Sequence, residues 1–454
     1  MLSRAQFIRN VLGGGALLAG YSALLHGALP APIHKPIIVP KDRKVRLAIV
    51  GVGFRGHEQI VEYSRIANVE IVAFADVSKK HSKANCEKFP QVPFFEDYRE
   101  MLTKMGDQID AVSIATPDFT HFNIAMMSMF YGKHVYVEKP LTHTIEEARI
   151  IARAAEHFGV VNQMGNQGQS GVGMLTFNKW VEEGIIPYPT KVTGWFNESN
   201  RRWYSWGKVD GYPKGSPVPK DLNWDLWLNK AAYHNYDPKL EPGNWRAWFD
   251  FGCGVLGDWG AHLLDAVYMN FDLGLPYEIK SELTDKSDYI FPKAAKLTFL
   301  FNGGDHQHPM QIDWYEGVNN LPPFDPELTD IKNPGYLMEC PGIMFKGESH
   351  GKAVSILPKE KFLEMRPTLP RVTGKASNHF QNFVNACQGT EKTRSPFSKA
   401  AKLTEVFLLG CIAQRYEGTL KYDAENMRIT NHPEADKMIR NYKPREGWNE
   451  FYKC

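Results

Sequence analysis

The stretch Val45–Gly56, VRLAIVGVGFRG, decides the fold because it joins an apolar strand pattern directly to a glycine-rich turn. The spacing Gly-x-Gly-x-x-Gly occupies residues 51–56, and the apolar spacing of a helix follows it. Gly51 allows a tight turn, Gly53 lets the backbone approach a pyrophosphate, and Gly56 lets the helix pack closely on the strand. A helix N-terminus also offers free N–H groups and a positive dipole end to an anion. The stretch therefore predicts a nucleotide-binding strand–turn–helix unit.

A second strand pattern follows this helix and ends on a carboxylate. The apolar stretch 69–75 runs into Asp76, which stands twenty positions after Gly56. A carboxylate at this place can accept hydrogen bonds from the adenosine ribose hydroxyls, and its charge repels a 2′-phosphate. We therefore predict NAD rather than NADP as the cofactor, while the nearby Lys79 and Lys80 act against this preference.

The chain continues with alternating strand and helix patterns as far as residue 165. Strands are predicted over residues 111–115, 134–137 and 160–164, and helices over residues 122–131 and 144–157. Thr144 and Glu147 form a capping-box pattern at the start of the second of these helices. The alternation predicts a doubly wound α/β fold with a parallel sheet, whose ligands bind beyond the carboxyl ends of the strands.

Four motifs together resemble the Gfo/Idh/MocA oxidoreductase family over about residues 44–425. They are the glycine turn, ATPD at 115–118 with His121, EKP at 138–140 and DWGAH at 258–262. The resemblance implies a Rossmann domain followed by a C-terminal α/β domain with a large, open, mainly antiparallel sheet, which in this family often mediates dimers or tetramers. It also implies that the cofactor lies between the domains and that a sugar or cyclitol faces its nicotinamide.

The predicted division of the chain has three parts. Residues 1–40 are assigned to an export signal and a proline-rich linker, 41–165 to the NAD(P)-binding Rossmann domain, and 166–454 to substrate binding and oligomerisation. A glycine- and proline-rich stretch at 302–345 is expected to be an elaborated loop over the sheet or an interface arm. A homo-oligomer, either a dimer or a tetramer, is expected from the family resemblance.

The first residues have the features of an export signal. Arg4 and Arg9 precede the apolar stretch 11–25, and small residues and prolines follow it. The segment 3–9 resembles a twin-arginine signal in which Ala5 stands where the second arginine belongs. We expect a periplasmic or otherwise exported protein, carried by this degenerate signal or by general secretion, with no stable membrane span after processing. The alternative is an uncleaved anchor, although the stretch is shorter than the roughly 20 residues of a span.

Composition excludes several other classes of function. The formal net charge is +2 and no run of basic residues occurs, so nucleic acid is not expected as a partner. The six cysteines are scattered without a CxxC pair, which argues against a cysteine-ligated zinc site. No metal is predicted, since the family generally needs none. The expected ligand besides the cofactor is a small carbohydrate or cyclitol.

The resemblance assigns the catalytic work to the EKP lysine and the DWGAH histidine, here Lys139 and His262. Hydride removal from a secondary alcohol needs a base for the hydroxyl proton and a group that stabilises the alkoxide-like charge. Asp258 is added as a third member because a helix would place it, His262 and Asp265 on one face, where a carboxylate can orient the imidazole; substrate binding is its alternative role. Taken singly, a lysine after a strand is usually solvated, and an Asp–His pair is usually a helix-surface pair.

The predicted cofactor contacts follow the same strand ends. They are Gly51, Gly53, Phe54, Arg55, Gly56, Asp76, Thr116, Pro117, His121, Glu138, Lys139 and Asn166. Asn166 is included as the first residue of the hinge after the last Rossmann strand. Gln167 follows it where many relatives carry arginine, so Gln167 is left out.

A tryptophan-rich region suggests the substrate side. Nine of the eleven tryptophans lie between Trp180 and Trp259, among polar residues such as Asn197, Arg201 and Arg246. Sugars present apolar C–H faces and polar rims, which suit aromatic rings beside hydrogen-bonding groups. At least half of these tryptophans are expected to be buried instead, as large aromatic side chains usually are.

Three functions are compatible with these features. The first is a dehydrogenase that oxidises a ring CH–OH of a sugar, sugar derivative or cyclitol with NAD+. The second is an NAD-dependent redox-assisted glycosidase that works through a 3-keto intermediate, as in some exported relatives. That branch lacks the aspartate of the D-x-x-x-H motif, and Asp258 is present here, so the dehydrogenase ranks first. The third is a noncatalytic NAD-binding protein, against which the intact Lys139, Asp258 and His262 argue.

Overall fold

The computed structural model describes residues 32–197, 200–303, 308–372, 376–440 and 444–452. Six strands of the first half are β1 (Val45–Val50), β2 (Val69–Ala75), β3 (Phe94–Phe95), β4 (Ala111–Ile114), β5 (His134–Val137) and β6 (Asn162–Met164). They pair in parallel in the order β3-β2-β1-β4-β5-β6. This arrangement confirms the predicted doubly wound parallel sheet.

Five helices connect these strands. They are α1 (Phe54–Ser64), α2 (Lys79–Lys88), α3 (Tyr98–Met105), α4 (His121–Phe130) and α5 (Ile145–Phe158). Helix α1 begins directly at the glycine turn, so its N-terminus faces the carboxyl edge of the sheet. The predicted capping box starts α5, because Thr144 Oγ1 accepts from the Glu147 N–H and the Glu147 carboxylate accepts from the Thr144 N–H.

Nine strands form a second, larger sheet. They are β7 (Lys191–Phe196), β8 (Glu278–Thr284), β9 (Ala294–Phe301), β10 (Met310–Gly317), β11 (Gly335–Cys340), β12 (Ile343–Glu348), β13 (Ser355–Leu357), β14 (Gly418–Asp423) and β15 (Arg428–Ile429). Their order is β13-β12-β11-β7-β10-β9-β8-β14-β15. Only β7 and β10 pair in parallel among these described strands, which confirms the mainly antiparallel sheet. The expectation of an elaborated loop at 302–345 is wrong, since β10, β11 and the start of β12 lie there, and the alternative of an interface arm stays a prediction.

The described residues of the second half also form eight α-helices. They are α6 (Val172–Glu182), α7 (Trp224–Leu228), α8 (Gly254–Leu263), α9 (Asp265–Asn270), α10 (Lys359–Met365), α11 (His379–Cys387), α12 (Phe397–Arg415) and α13 (Pro433–Ile439). Helix α12 is buried over most of its length and contacts α5 and β6 as well as α8 and β8. It therefore ties the two sheets together.

The late helix α11 packs with the nucleotide half, which is the part of the chain that holds the glycine turn and strands β1–β6. Phe383 and Val384 share a buried apolar cluster with Tyr63 and Tyr136. The segment before β1 also lies against this helix, since the Val39 N–H donates to the Cys387 carbonyl at 2.8 Å. The nucleotide half is thus completed by the segment before β1 and by a helix from late in the chain.

The predicted export signal falls in residues 1–31, outside the described residues, and it stays a prediction. Within the described ranges, no helix combines the length and the apolar character needed to cross a bilayer.

Candidate active site

The carboxyl ends of β1, β2, β4 and β5 open onto a cavity of about 440 Å³. The first half lines it with residues that directly follow these strands, namely Gly51, Asp76, Thr116, Glu138 and Lys139. The second half closes the other side with Trp227, Glu241, Trp245, Asp258 and His262, and Trp448 comes from near the C-terminus. The cavity therefore lies between the two halves of the chain.

The glycine turn has the shape that a bound pyrophosphate requires. Gly51 has a φ of +83°, and a Cβ on Gly56 would lie 1.8 Å from the Gly51 carbonyl oxygen. A Cβ on Gly53 would lie 2.8 Å from the Cβ of His81. Phe54 and Arg55, the first residues of α1, line the cavity as predicted. Neither Gly51 nor Gly56 can carry a side chain without moving the turn.

Asp76 lines the cavity and also braces the turn. Its Oδ2 accepts from the Val52 N–H at 2.7 Å and the Gly53 N–H at 3.3 Å, while its Oδ1 accepts from the Ser78 N–H at 2.8 Å. Burial raises the pKa of Asp76, and the three N–H donors oppose that shift. The sequence predicted its position at the strand end but missed these backbone contacts. The cradle of the turn, the free helix N-terminus and this carboxylate together fit the pyrophosphate and ribose of NAD.

Glu138 is held by three donors at the floor of the cavity. Its Oε1 accepts from Arg55 Nε at 2.8 Å, from Gln59 Nε2 at 2.9 Å and from Gln167 Nε2 at 3.3 Å. A Cβ on Gly165 would lie 2.8 Å from this carboxyl group, so the hinge needs glycine there. Gln167 lines the cavity, although it is not among the predicted cofactor contacts. Its position directly after the hinge was the feature of the sequence that could have identified it as a lining residue.

Three predicted cofactor contacts, namely Gly56, His121 and Asn166, do not line the cavity. The buried His121 ring lies between two loops, with one nitrogen 2.9 Å from the Pro140 carbonyl oxygen and the other 2.9 Å from that of Thr116. Asn166 is fully buried, and its Nδ2 lies 3.4 Å from Asp265 Oδ2. Both side chains therefore hold loops in place, because the hydrogen bonds of the chain itself turn them away from the cavity.

Lys139 and Asp258 meet across the two halves. Lys139 Nζ donates to Asp258 Oδ1 at 2.5 Å, and Arg201 Nη2 lies 3.0 Å from Asp258 Oδ2. Arg246 Nη2 is 3.7 Å from Oδ1. Burial acts to raise the pKa of Asp258, but Arg246, Lys139 and Arg201 hold it well below its usual range. The carboxylate is therefore a fixed anion among three cations.

His262 lies on α8 beside this ion pair. Its ring stacks on His350 with 4.0 Å between the centroids and 17° between the planes. Burial, followed by the positive charge of Lys139 and by His350, holds the pKa of His262 well below its usual range, so the imidazole is neutral. Its Nδ1 is buried and has no hydrogen-bond partner in the described part of the chain. Nε2 is therefore the nitrogen that can serve a ligand.

The prediction that Asp258, His262 and Asp265 lie on one face of a single helix is only partly correct. Helix α8 ends at Leu263, and Asp265 begins α9 instead of continuing the same helix. Asp258 is occupied by Lys139 and the two arginines, so the expectation that it orients the imidazole is wrong. Asp265 is buried and accepts from Gln169 Nε2 at 3.1 Å. Burial raises the pKa of Asp265 to about 7.

A second cavity of about 380 Å³ adjoins the first. Its lining consists of Lys139, Asn200, Arg201, Asp258, Trp259, His262 and His350. Four of these residues, namely Lys139, Asp258, His262 and His350, also line the nucleotide cavity. The three residues predicted to be catalytic thus stand where the two cavities meet. An ammonium donor and a neutral imidazole there can serve one hydroxyl group, the first as a donor to its oxygen and the second as an acceptor of its proton.

Most of the predicted aromatic region is structural. Six of the nine clustered tryptophans are buried, namely Trp180, Trp195, Trp203, Trp224, Trp227 and Trp248. Trp227 and Trp245 line the nucleotide cavity, and Trp259 lines the second one. Among the polar neighbours, Arg201 and Arg246 reach Asp258. No group of three or more His, Cys, Asp or Glu residues that could hold a metal occurs in the described ranges.

Two family models match the chain. The first, described as an oxidoreductase family with an NAD-binding Rossmann fold, covers residues 45–166. The second, described as the C-terminal alpha/beta domain of the oxidoreductase family, covers residues 170–304. Together they span more than half of the 454 residues.

Curated relatives match over shorter segments. A glycosyl hydrolase family 109 protein 2 of Shewanella sp. (strain ANA-3) is 36% identical over 129 residues, which is 26% of this chain and 28% of the relative. An alpha-N-acetylgalactosaminidase of Shewanella oneidensis is 35% identical over a segment with the same coverage. A glycosyl hydrolase family 109 protein of Shewanella sp. (strain W3-18-1) is 31% identical over 34% of this chain and 37% of the relative. The matched segments therefore span between 28% and 37% of the length of these relatives.

Solved structures match over most of the chain. An NAD-binding protein from Listeria innocua is 19% identical with a TM-score of 0.58, covering 84% of this chain and 99% of that one. The WlbA dehydrogenase from Bordetella pertussis, solved with NADH and UDP-GlcNAcA, is 14% identical with a TM-score of 0.57, covering 86% and 99%. An aldose-aldose oxidoreductase from Caulobacter crescentus is 15% identical with a TM-score of 0.53, covering 84% and 100%. At these identities the likeness shows the fold.

Proposed function

The chain belongs to the Gfo/Idh/MocA oxidoreductase family, and from this premise we propose that it oxidises a ring CH–OH of a sugar, sugar derivative or cyclitol with NAD+. One observation carries the proposal. Lys139, Asp258 and His262 stand where the nucleotide cavity adjoins a second cavity of substrate size. A substrate in the second cavity would face the nicotinamide end of the first.

The proposed roles follow from the protonation states. Bound NAD+ supplies the hydride acceptor. Lys139 donates a hydrogen bond to the substrate hydroxyl oxygen and stabilises the alkoxide-like charge, and its ion pair with Asp258 fixes the ammonium in place. His262 is neutral because of burial and of Lys139, so its Nε2 accepts the hydroxyl proton.

Arg201 and Arg246 are positioning residues in this scheme. They approach Asp258 from the second half of the chain, with Arg246 also 3.2 Å from Asp118 Oδ2. Their charges keep Asp258 ionised, and the anion in turn keeps Lys139 aimed at the junction of the two cavities. The network assembles only when both halves of the chain are folded together.

The lining of the second cavity supports a carbohydrate substrate. Trp259 offers an aromatic ring to an apolar sugar face, while Asn200 and Arg201 offer hydrogen-bond donors to its hydroxyl rim. Among the solved structures of the same fold, the WlbA dehydrogenase was solved with UDP-GlcNAcA, and another is named an aldose-aldose oxidoreductase. These neighbours are consistent with sugar oxidation and do not identify the sugar.

A redox-assisted glycosidase is the second candidate. The matched curated relatives include an alpha-N-acetylgalactosaminidase, and the nucleotide cavity is walled by Trp227, Glu241 and Trp448 from outside the first sheet. Such a wall suits a cofactor that is retained while it is reduced and reoxidised on the same substrate. The presence of Asp258 in the ion network still favours the dehydrogenase.

The two candidates differ in their products. Purified protein is incubated with free sugars, cyclitols and aryl glycosides while nicotinamide absorbance and released aglycone are followed together. The proposal expects NADH in proportion to oxidised substrate and no released aglycone. Aglycone release without net NADH would reject the dehydrogenase in favour of the glycosidase. Lys139→Ala should abolish either activity while NAD binding persists, whereas the exposed-site control Lys361→Ala should leave it unchanged.

A further inference from the structure

A buried carboxyl group from the second half of the chain reaches the adenosine end of the cavity. Glu241 lines the same cavity as Asp76, Ser78 and His81, and only 9% of its side chain is exposed. Its Oε1 lies 3.5 Å from His81 Nδ1. The Gly243 backbone and the Trp227 side chain act to lower the pKa of Glu241, against the effect of burial. Neither the catalytic scheme nor the nucleotide motif accounts for this residue.

Asp76 alone has little capacity left for a ribose. The two lone pairs of its Oδ2 are used by the Val52 and Gly53 N–H groups, and one lone pair of its Oδ1 by the Ser78 N–H. The adenosine ribose of NAD offers two vicinal hydroxyl donors. One of them lacks an acceptor unless a second group is present, and Glu241 is a buried acceptor in the same part of the cavity.

The surrounding charges make this end of the cavity acidic. Lys79, which could have attracted a 2′-phosphate, is 62% exposed and pairs with Glu96 at 2.7 Å. Glu96 lines the cavity together with Asp76 and Glu241, so three carboxyl groups surround the adenosine end of the cavity. Burial, with the nearby Asp76 adding to it, raises the pKa of Glu241 to about 7. The group is therefore an acceptor at any pH and an anion above neutral pH.

We propose that Glu241 is a second determinant of NAD over NADP, which accepts one adenosine ribose hydroxyl and repels a 2′-phosphate. The selectivity of the nucleotide half is thus completed by a residue 165 positions after Asp76 in the sequence. This inference concerns the cofactor alone and does not depend on the identity of the substrate.

The test compares NAD+ and NADP+ affinities in Glu241→Gln by calorimetry on nucleotide-free protein at about pH 8.5, where the carboxyl group is ionised. Glutamine keeps an acceptor oxygen but carries no charge. We expect NAD+ affinity to change by less than about threefold and NADP+ affinity to rise by about tenfold, the effect of one removed like-charge repulsion. Asp76→Asn should independently lower the ratio of NAD+ affinity to NADP+ affinity. The double variant Asp76→Asn with Glu241→Gln should lower this ratio further.

Two controls keep the test decisive. Glu282→Gln removes a carboxyl group that pairs with Lys296 on the second sheet and does not line the cavity, so both affinities should stay as in the parent. Glu241→Asp keeps the charge and should keep the discrimination even if NAD+ binds more weakly. Thermal unfolding identifies misfolded variants. An unchanged NADP+/NAD+ ratio in folded Glu241→Gln, or lost discrimination in folded Glu241→Asp, overturns the proposal.

Discussion

Lys139 Nζ lies 2.5 Å from Asp258 Oδ1, so a loop after β5 and a helix 119 positions later in the chain meet through one ion pair. Two further cations, Arg201 and Arg246, approach the same carboxylate. The pair links the first half of the chain to the second half at the junction of the two cavities. We therefore expect its loss to impair any chemistry that uses both cavities.

Replacing Asp258 with Asn removes the anion shared by these three cations. A buried charge left without its partner is strongly destabilising, so we expect the free energy of unfolding to fall by about 3 kcal/mol and kcat/KM by about 100-fold or more. Urea unfolding and steady-state kinetics measure the two effects. Asp272→Asn, which removes an exposed pair with Lys402, should change the free energy by less than about 1 kcal/mol. Near-parental kinetics in Asp258→Asn would refute this role.

His262 sets the acid side of the pH profile. Since burial and Lys139 hold the pKa of His262 well below 6.5, the ring stays neutral as the pH falls from about 8 to about 6. We expect kcat/KM to stay flat over that range and to drop by about 100-fold in His262→Asn, with NAD+ affinity unchanged. A decline of kcat/KM centred near pH 6.5 that disappears in the variant would show that the histidine titrates normally and would contradict the structure.

Three other buried histidines make the fold sensitive to acid. Burial lowers the pKa of His134, His143 and His379 to about 4, against 6.5 in the unfolded chain. Between these values the unfolded chain binds protons that the folded protein does not, so the free energy of unfolding falls as the pH drops below about 6.5. Each group contributes up to about 1.4 kcal/mol per pH unit. Urea unfolding at about pH 7.5 and 5.5 measures this decrease in the free energy of unfolding.

His134→Gln is the variant matched to this pH prediction. His134 Nδ1 accepts from the Val161 N–H at 3.0 Å and Nε2 donates to the Ile37 carbonyl, a neutral arrangement that an amide can partly imitate. Its stability should depend less steeply on pH between about 7.5 and 5.5. An identical slope in parent and variant would mean that His134 does not contribute.

Gly56→Ala tests whether the close packing of the glycine turn is needed for NAD+ binding. The new Cβ would lie 1.8 Å from the Gly51 carbonyl oxygen, so the turn must open and NAD+ affinity should fall by about 100-fold or more. Gly211→Ala is the matched control, because no atom lies within 4 Å of its added Cβ. It should leave NAD+ affinity within about twofold. Calorimetric titration with NAD+ measures both, and equal affinities in the two variants would contradict the assigned function of the turn.

The nucleotide unit was predictable because its signals are local. The strand, the glycine spacing and the helix that follow one another in Val45–Ser64 are set by neighbouring residues, and so is the capping box of Thr144 with Glu147. Element ends shifted by a residue or two where tertiary packing decides them, as in β6, predicted from residue 160 and observed from Asn162.

The parts that were missed depend on contacts between distant segments. Nothing in the sequence around Glu241 or Trp448 indicates that these side chains close the nucleotide cavity. The ion network of Asp258 could not be read from its spacing to His262, because its partners Lys139, Arg201 and Arg246 come from three other segments. His121 and Asn166 were expected at the cofactor, but hydrogen bonds to neighbouring loops hold them away from the cavity.

Single-turnover reduction of enzyme-bound NAD+ measures directly whether this site removes a hydride from a ring CH–OH, the step with which both candidate functions begin. Protein loaded with NAD+ is mixed with a panel of sugars, cyclitols and glycosides, and the nicotinamide absorbance is followed in the parent, Lys139→Ala and His262→Asn. We expect a reduced-nicotinamide band in the parent with at least one substrate, and a rate lower by about 100-fold or more in both variants at unchanged NAD+ binding. A band of equal rate in either variant would contradict the assignment of the site.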